Sequence, residues 1–161
     1  MCNSGEFMTG WFTGKFEYAI DVKGRISIPA KFRDLIPENS KFHSIRVPKF
    51  RIRIYPESEW EKKALQYENL PETEIFDEYR REFYDTQADS DLDGQGRITI
   101  PSKQIKEIRY NGGKIIMLGM GKYIEAFCSE NENADYDEAE RKFADKYYKV
   151  NEAIMEFRKS E

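Results

Sequence analysis

The chain of 161 residues has one histidine, His43, and two cysteines, Cys2 and Cys128. A single imidazole largely excludes a histidine-based catalytic triad or a multi-histidine metal site. Two thiols far apart in sequence make neither a disulfide framework nor a zinc site, and a reducing cytoplasm is the expected setting. No apolar run approaches the roughly 20 residues needed to cross a bilayer, and no secretion signal is visible. A phosphate-cradling loop is missing too: Gly119-Met120-Gly121 lacks a third glycine and a following helix, and reads as a hairpin turn. Asp89 and Asp91 are simply polar positions on a strand. No catalytic constellation remains, so the chain is not expected to be an enzyme, and no cofactor, metal or small-molecule substrate is implied.

What the chain does have is a repeat. The segment Asp21 to Lys31 returns 72 residues later as Asp93 to Lys103, with seven of the eleven positions identical. The register holds downstream, where Ile45, Ile52 and Tyr55 fall opposite Met117, Ile124 and Phe127. Upstream, Phe16, Tyr18 and Ile20 fall opposite Ala88, Ser90 and Leu92. A register kept over that length marks a duplicated structural unit, so one protomer is expected to present two similar surfaces.

Alternation predicts an α+β fold. Phe16, Tyr18 and Ile20 mark a half-buried strand, and Arg25-Ile26-Ser27-Ile28 marks a second with both isoleucines on one face. Gly24 makes the turn between them. Pro29 ends the second strand and suits the first turn of a helix over 30–36. A hairpin with strands near 42–47 and 50–55 follows. Copy two predicts strands 87–92 and 97–100, a helix over 102–108, and strands 114–119 and 122–127. Between the copies, Trp60, Ala64 and Leu65 form one helical stripe. Pro71 breaks it, and Ile75, Phe76, Tyr79 and Phe83 form a second. From Tyr136 to Phe157 apolar residues recur at steps of three and four, predicting a long amphipathic helix. It is expected to dock on its own core, with packing against another protomer as the alternative. The expected units are a loose N-terminus 1–13, a first unit 14–60, a helical linker 61–86, a second unit 87–130 and a C-terminal helix 131–161. Residues 1–7 look unlike a structured start, and Met8 reads as a candidate initiator.

The net charge of −4 hides a segregation. Residues 15–55 carry ten Lys/Arg against four Asp/Glu and residues 93–128 six against three, whereas 56–92 and 129–161 are acidic. Both copies of the repeat are therefore basic. At each turn an arginine, Arg25 or Arg97, faces away from the isoleucines, beside Lys23 in one copy and Gln95 in the other. Asp21 and Asp93 are placed to accept from the turn backbone or to orient the arginine. A two-stranded ribbon fits the DNA major groove, and arginine can donate bidentately to guanine or phosphate. The plainer reading of Asp-x-x-Gly-Arg is turn chemistry with a solvated arginine, which a second basic copy makes less economical.

The pattern from Asp21 to Arg33, followed by the second Asp-x-x-Gly-Arg-x-x-x-Pro at Asp93–Pro101, resembles the MraZ family. Ile54, Tyr55, Pro56, Glu57 and Trp60 after copy one, and the Leu118-Gly119-x-Gly121 hairpin of copy two, are similar to it as well. The resemblance covers roughly residues 8–130. It implies two pseudo-symmetric AbrB-like swapped-hairpin units forming one barrel-like core, with added helices between the repeats and at the C-terminus. The implied activity is sequence-specific binding of double-stranded DNA by a transcriptional regulator. That regulator would act on a cell-division and cell-wall gene cluster through repeated promoter elements. It would be cytoplasmic and nucleoid-associated, and would form a ring-shaped homo-oligomer. DNA-contacting positions would be Lys23, Arg25, Lys31, Arg33, Gln95 and Arg97, on turns built by Asp21, Gly24, Asp93 and Gly96. Three features depart from the pattern: Gln95 is not basic, the chain is acidic overall, and the tail after residue 130 is not something the family pattern specifies; in addition, Gln104-Ile105 stands opposite Phe32-Arg33. These departures imply that copy one carries most of the grip. The alternative is an antitoxin-like interaction module whose acidic helical segments bind a partner protein.

Overall fold

In the computed structural model, which describes residues 8–160, each copy of the repeat folds into the same series of elements. Copy one gives β1 (Lys15–Tyr18), β2 (Arg25–Ser27), α1 (Ala30–Arg33), β3 (Lys41–Val47) and β4 (Arg51–Pro56). The linker forms α2 (Glu57–Glu68) and α3 (Glu74–Asp85). Copy two gives β5 (Ala88–Asp91), β6 (Arg97–Thr99), α4 (Ser102–Glu107), β7 (Ile115–Gly119) and β8 (Ile124–Cys128), and α5 (Glu138–Lys159) closes the chain. Cys2 and the rest of 1–7 lie outside the described residues.

Six strands form one antiparallel sheet in the order β1-β7-β8-β4-β3-β5, and β2 pairs with β6 in a separate two-stranded ribbon. Exchanging each strand for its repeat counterpart reverses this order without changing it. The first strand of each copy lies along the hairpin of the other: Phe16 pairs with Met117, and Ser90 pairs with Phe42. The barrel-like expectation needs correction on closure. β1 and β5 are open edges of the six-stranded sheet, and β2–β6 is a separate sheet.

Strand alternation sends apolar side chains to both faces of the large sheet, and each face has its own core. Between sheet and ribbon lie Ile26, Ile28, Ile98 and Ile100, with Ile52, Ile54, Met117 and Ile124 opposite. Each fully buried aliphatic side chain contributes about 1.5–3 kcal/mol. On the other face Ile45, Val47 and Tyr55 pack under Trp60, Tyr67, Tyr79 and Phe83 of the linker helices and Val150 and Ile154 of α5. The long C-terminal helix thus docks on its own chain.

Several local expectations change. α1 stops at Arg33, and Leu35 and Ile36 reach the first core from the loop ahead of Pro37. Leu65 and Ile75 are more than half exposed, because the helix phase is set by Trp60 with Tyr67 and by Tyr79 with Phe83. Phe12 is no part of a loose terminus. It is completely buried, and its N–H donates to the Gly121 carbonyl at 2.7 Å.

Candidate nucleic-acid interface

Two duplicated turns and one ribbon make the site. At the first turn, Asp21 Oδ1 accepts from the backbone N–H groups of Lys23 and Arg25, each at 2.9 Å, and Oδ2 accepts from Arg25 Nε at 2.7 Å. At the second, Asp93 Oδ1 accepts from Gln95 and Arg97 N–H at 2.8 and 2.9 Å, and Oδ2 from Arg97 Nε at 3.0 Å. The Arg25 and Arg97 amides, more than any other group, hold the two carboxyls below the ordinary aspartate value. Because the folded-state value is the lower one, the clamp is present throughout the neutral range and is lost only as pH falls through it. Clamping through Nε leaves the two terminal guanidinium nitrogens of each arginine without a protein partner among the described residues.

Pairing in the ribbon puts Ile26 opposite Ile98, Arg25 opposite Thr99, and Ser27 opposite Arg97. Directly paired residues share a face, so Arg25, Ser27, Arg97 and Thr99 form the outer surface while the isoleucines point inward. The two surfaces expected from the repeat are therefore one composite surface. Its arginines are diagonal neighbours, roughly 7–8 Å apart by ordinary sheet spacing. The exits of the two copies are tied crosswise, since Ile28 N–H donates to the Gly96 carbonyl at 2.9 Å and Ile100 N–H to that of Gly24 at 2.7 Å.

The turns are also braced crosswise. A Cβ placed on Gly96 would lie 2.3 Å from the Arg33 guanidinium, and one on Gly24 would lie 3.5 Å from Ile105 Cδ1. Arg33 and Ile105 are equivalent positions of the repeat, each lying over the other copy's turn. The missing charge at Gln95 thus has a neighbour of the same sign in Arg33, delivered from copy one. Each turn therefore has two cations: Lys23 with Arg25, and Arg97 with Arg33. Lys31 stands apart, with Nζ 3.1 Å from the Thr13 hydroxyl.

Gly24 and Gly96 take φ of 81° and 76°, the left-handed region. Alanine at either costs about 1 kcal/mol for conformation alone. At Gly24 it also meets the Ile100 carbonyl oxygen at 2.7 Å, whereas at Gly96 it meets only the long Arg33 side chain. Gly24→Ala should therefore lower the thermal melt distinctly more than Gly96→Ala, and equal melts would refute this account of the turns.

Much of the basic charge in copy one is spent elsewhere. Arg46 pairs with Glu107 and Glu140 at 3.1 and 2.5 Å, and Arg51 and Arg53 share Glu125 at 2.9 and 3.2 Å. These arginines complement acidic residues of α4, α5 and β8, which accounts for part of the segregation without nucleic acid.

A family model described as "MraZ protein, putative antitoxin-like" matches residues 11–81, from the buried N-terminal segment into α3. The chain is 33% identical to a transcriptional regulator MraZ of Syntrophomonas wolfei, over 83% of this chain and 97% of the relative. It is 36% identical to one of Roseiflexus, over 73% and 80%, and 31% identical to one of Leuconostoc citreum, over 91% and 98%.

Proposed function

Given that the chain belongs to the MraZ family, we propose that it is a DNA-binding transcriptional regulator that lays the outer face of the β2–β6 ribbon in the major groove. One observation carries the reading: two Asp-clamped arginines stand on the same solvent face of a single ribbon. The groove admits a two-stranded ribbon, and arginine is the usual donor to guanine O6 and N7. Orientation by Asp21 and Asp93 fixes the guanidinium planes before contact, which lowers the entropy lost on binding. Lys23 and Arg33 flank them toward the phosphates, Gln95 offers a donor and an acceptor to a base edge, and Ser27 and Thr99 line the floor. The family resemblance extends the proposal to a cell-division and cell-wall gene cluster with repeated promoter elements. It also extends it to nucleoid association and to ring-shaped homo-oligomers, whose multivalency would multiply a modest grip per protomer.

Fluorescence anisotropy on DNA from upstream of the protein's own coding sequence, titrated with salt, tests the reading. Affinity should fall with a log–log slope of about −0.9 per phosphate contacted; a salt-independent affinity, or none, would sink it. Arg33→Ala should weaken binding evenly across sequences and reduce the slope by about 1. An unchanged slope would make Arg33 a brace and nothing more.

The interaction-module alternative cannot be separated by deleting residues 130–161. That cut also removes Val150, Ile154 and Glu140 from beneath the second core. Co-purification with the full chain is the appropriate comparison.

A further inference from the structure

On the sheet face away from the ribbon, α2, β4, the β7–β8 loop and the end of α5 enclose a groove of about 590 Å³. Its lining includes Arg53, Lys62, Lys63, Lys122 and Arg158, with Glu59 the one carboxylate, in a chain whose net charge is −4. Arg51, on the same sheet face, is answered by Glu125. Within the groove, Arg53 is held by Glu125 at 3.2 Å and Lys62 by Glu59 at 3.1 Å. Lys63, Lys122 and Arg158 have no carboxylate within ion-pair distance among the described residues.

Lys63 is the sharpest case. Its Nζ has Asn151 Oδ1 at 3.4 Å and the Tyr67 ring centroid at 6.0 Å, neither of which supplies a negative charge. Burial, with the Arg53 charge behind it, pulls its ammonium down to about 8. A desolvated cation without a counter-charge costs free energy, and an anion in the groove would remove that cost. Beside it, the Tyr55 and Tyr123 rings lie 5.0 Å apart and form an aromatic wall. Several cations lining one groove, with Lys122 Nζ otherwise 5.8 Å from the Trp11 ring centroid, suit a compact group of more than one negative charge, for which phosphate is the common case. We propose that this groove binds a small phosphorylated anion through Lys63, Lys122 and Arg158, independently of the ribbon. Arg53 and Tyr55 alternate with Ile52 and Ile54, which face the ribbon core, so the thickness of the sheet separates the two sites.

Calorimetric titration of the full chain with pyrophosphate, and separately with ADP, tests this against sodium chloride at equal ionic strength. Saturable binding at one site per chain is expected. Lys63→Met should weaken it by roughly tenfold or more while melting no lower than the parent protein, since it removes an uncompensated charge. Tighter binding of ADP would place its base against Tyr123, and equal affinities would make the phosphoryl group the whole ligand; either upholds the site. Arg25→Ala/Arg97→Ala should bind pyrophosphate like the parent, and loss there would move the anion to the ribbon and overturn the proposal. Heats no larger than those of chloride, or a Lys63→Met variant that binds unchanged, would overturn it as well.

Discussion

Replacing Arg25 and Arg97 together by alanine is expected to lower affinity for the upstream DNA by about two orders of magnitude or more. Each arginine that donates bidentately to a base is worth about 1–3 kcal/mol, and the two stand on the same face of one ribbon. Stability should hardly change. Both arginines are partly exposed, and their ion pairs with Asp21 and Asp93 are i,i+4 surface pairs, which contribute little to stability. The informative result is the combination of a lost complex and a retained melt. Wild-type affinity of the double variant at low salt would remove the ribbon from the DNA interface. The two single variants carry a second answer. If Arg33 makes the second turn equal to the first, Arg25→Ala and Arg97→Ala should weaken binding similarly. A much larger loss for Arg25→Ala would restore the dominance of copy one.

The largest stability effect is expected at Glu140, far from the ribbon. Its carboxylate, 1% exposed, accepts from Arg46 at 2.5 Å and from the backbone N–H groups of Lys49 and Phe50 at 3.0 and 3.3 Å. Those two residues have φ of 73° and 57°, an uncommon pair of left-handed conformations for non-glycine residues. One side chain of α5 therefore holds the β3–β4 loop in a conformation that costs on the order of 1–3 kcal/mol per residue. Glu140→Ala leaves both amides without an acceptor and Arg46 with Glu107 alone, and should cost on the order of 3 kcal/mol, or roughly 10 °C in melting temperature for a chain of this length. Glu140→Gln keeps an acceptor for the amides and should fall between. Amide exchange at Lys49 and Phe50 should accelerate in the alanine variant. A melt within two or so degrees of the parent would show that the latch carries little.

Periodicity made the elements legible. The alternation around Ile26 and Ile98, Pro29 and Pro101 as strand ends, and the apolar seam of α5 are local signals, and local sterics decide them. Partnership between the copies was not legible. Nothing in a repeat says that β1 will lie on β7 or that Arg33 will lie over Gly96, because a duplicated unit can pair within itself or across the duplication with the same residues. The charge pattern misled for a related reason. Counting Arg46, Arg51 and Arg53 toward a basic surface ignores that the fold pairs Arg46 with Glu140 and both Arg51 and Arg53 with Glu125. The phase read for α2 and α3 held at Trp60, Ala64, Phe76, Tyr79 and Phe83, and failed at Leu65 and Ile75, which fit a stripe by spacing as well as Tyr67 does.

The Ile26–Ile98 pair sits on an approximate twofold axis of the ribbon, and the sequence breaks that axis on the outer face only. Lys23 stands at one end and Gln95 at the other, while Ser27 and Thr99 differ by a single methyl group. A true twofold reader cannot tell one direction along a duplex from the other. If the ribbon reads DNA as proposed, this chain can, because turning it end for end exchanges a lysine for a glutamine. Each protomer would then have polarity on DNA, and protomers set side by side along a duplex would select head-to-tail copies of a short site over inverted ones.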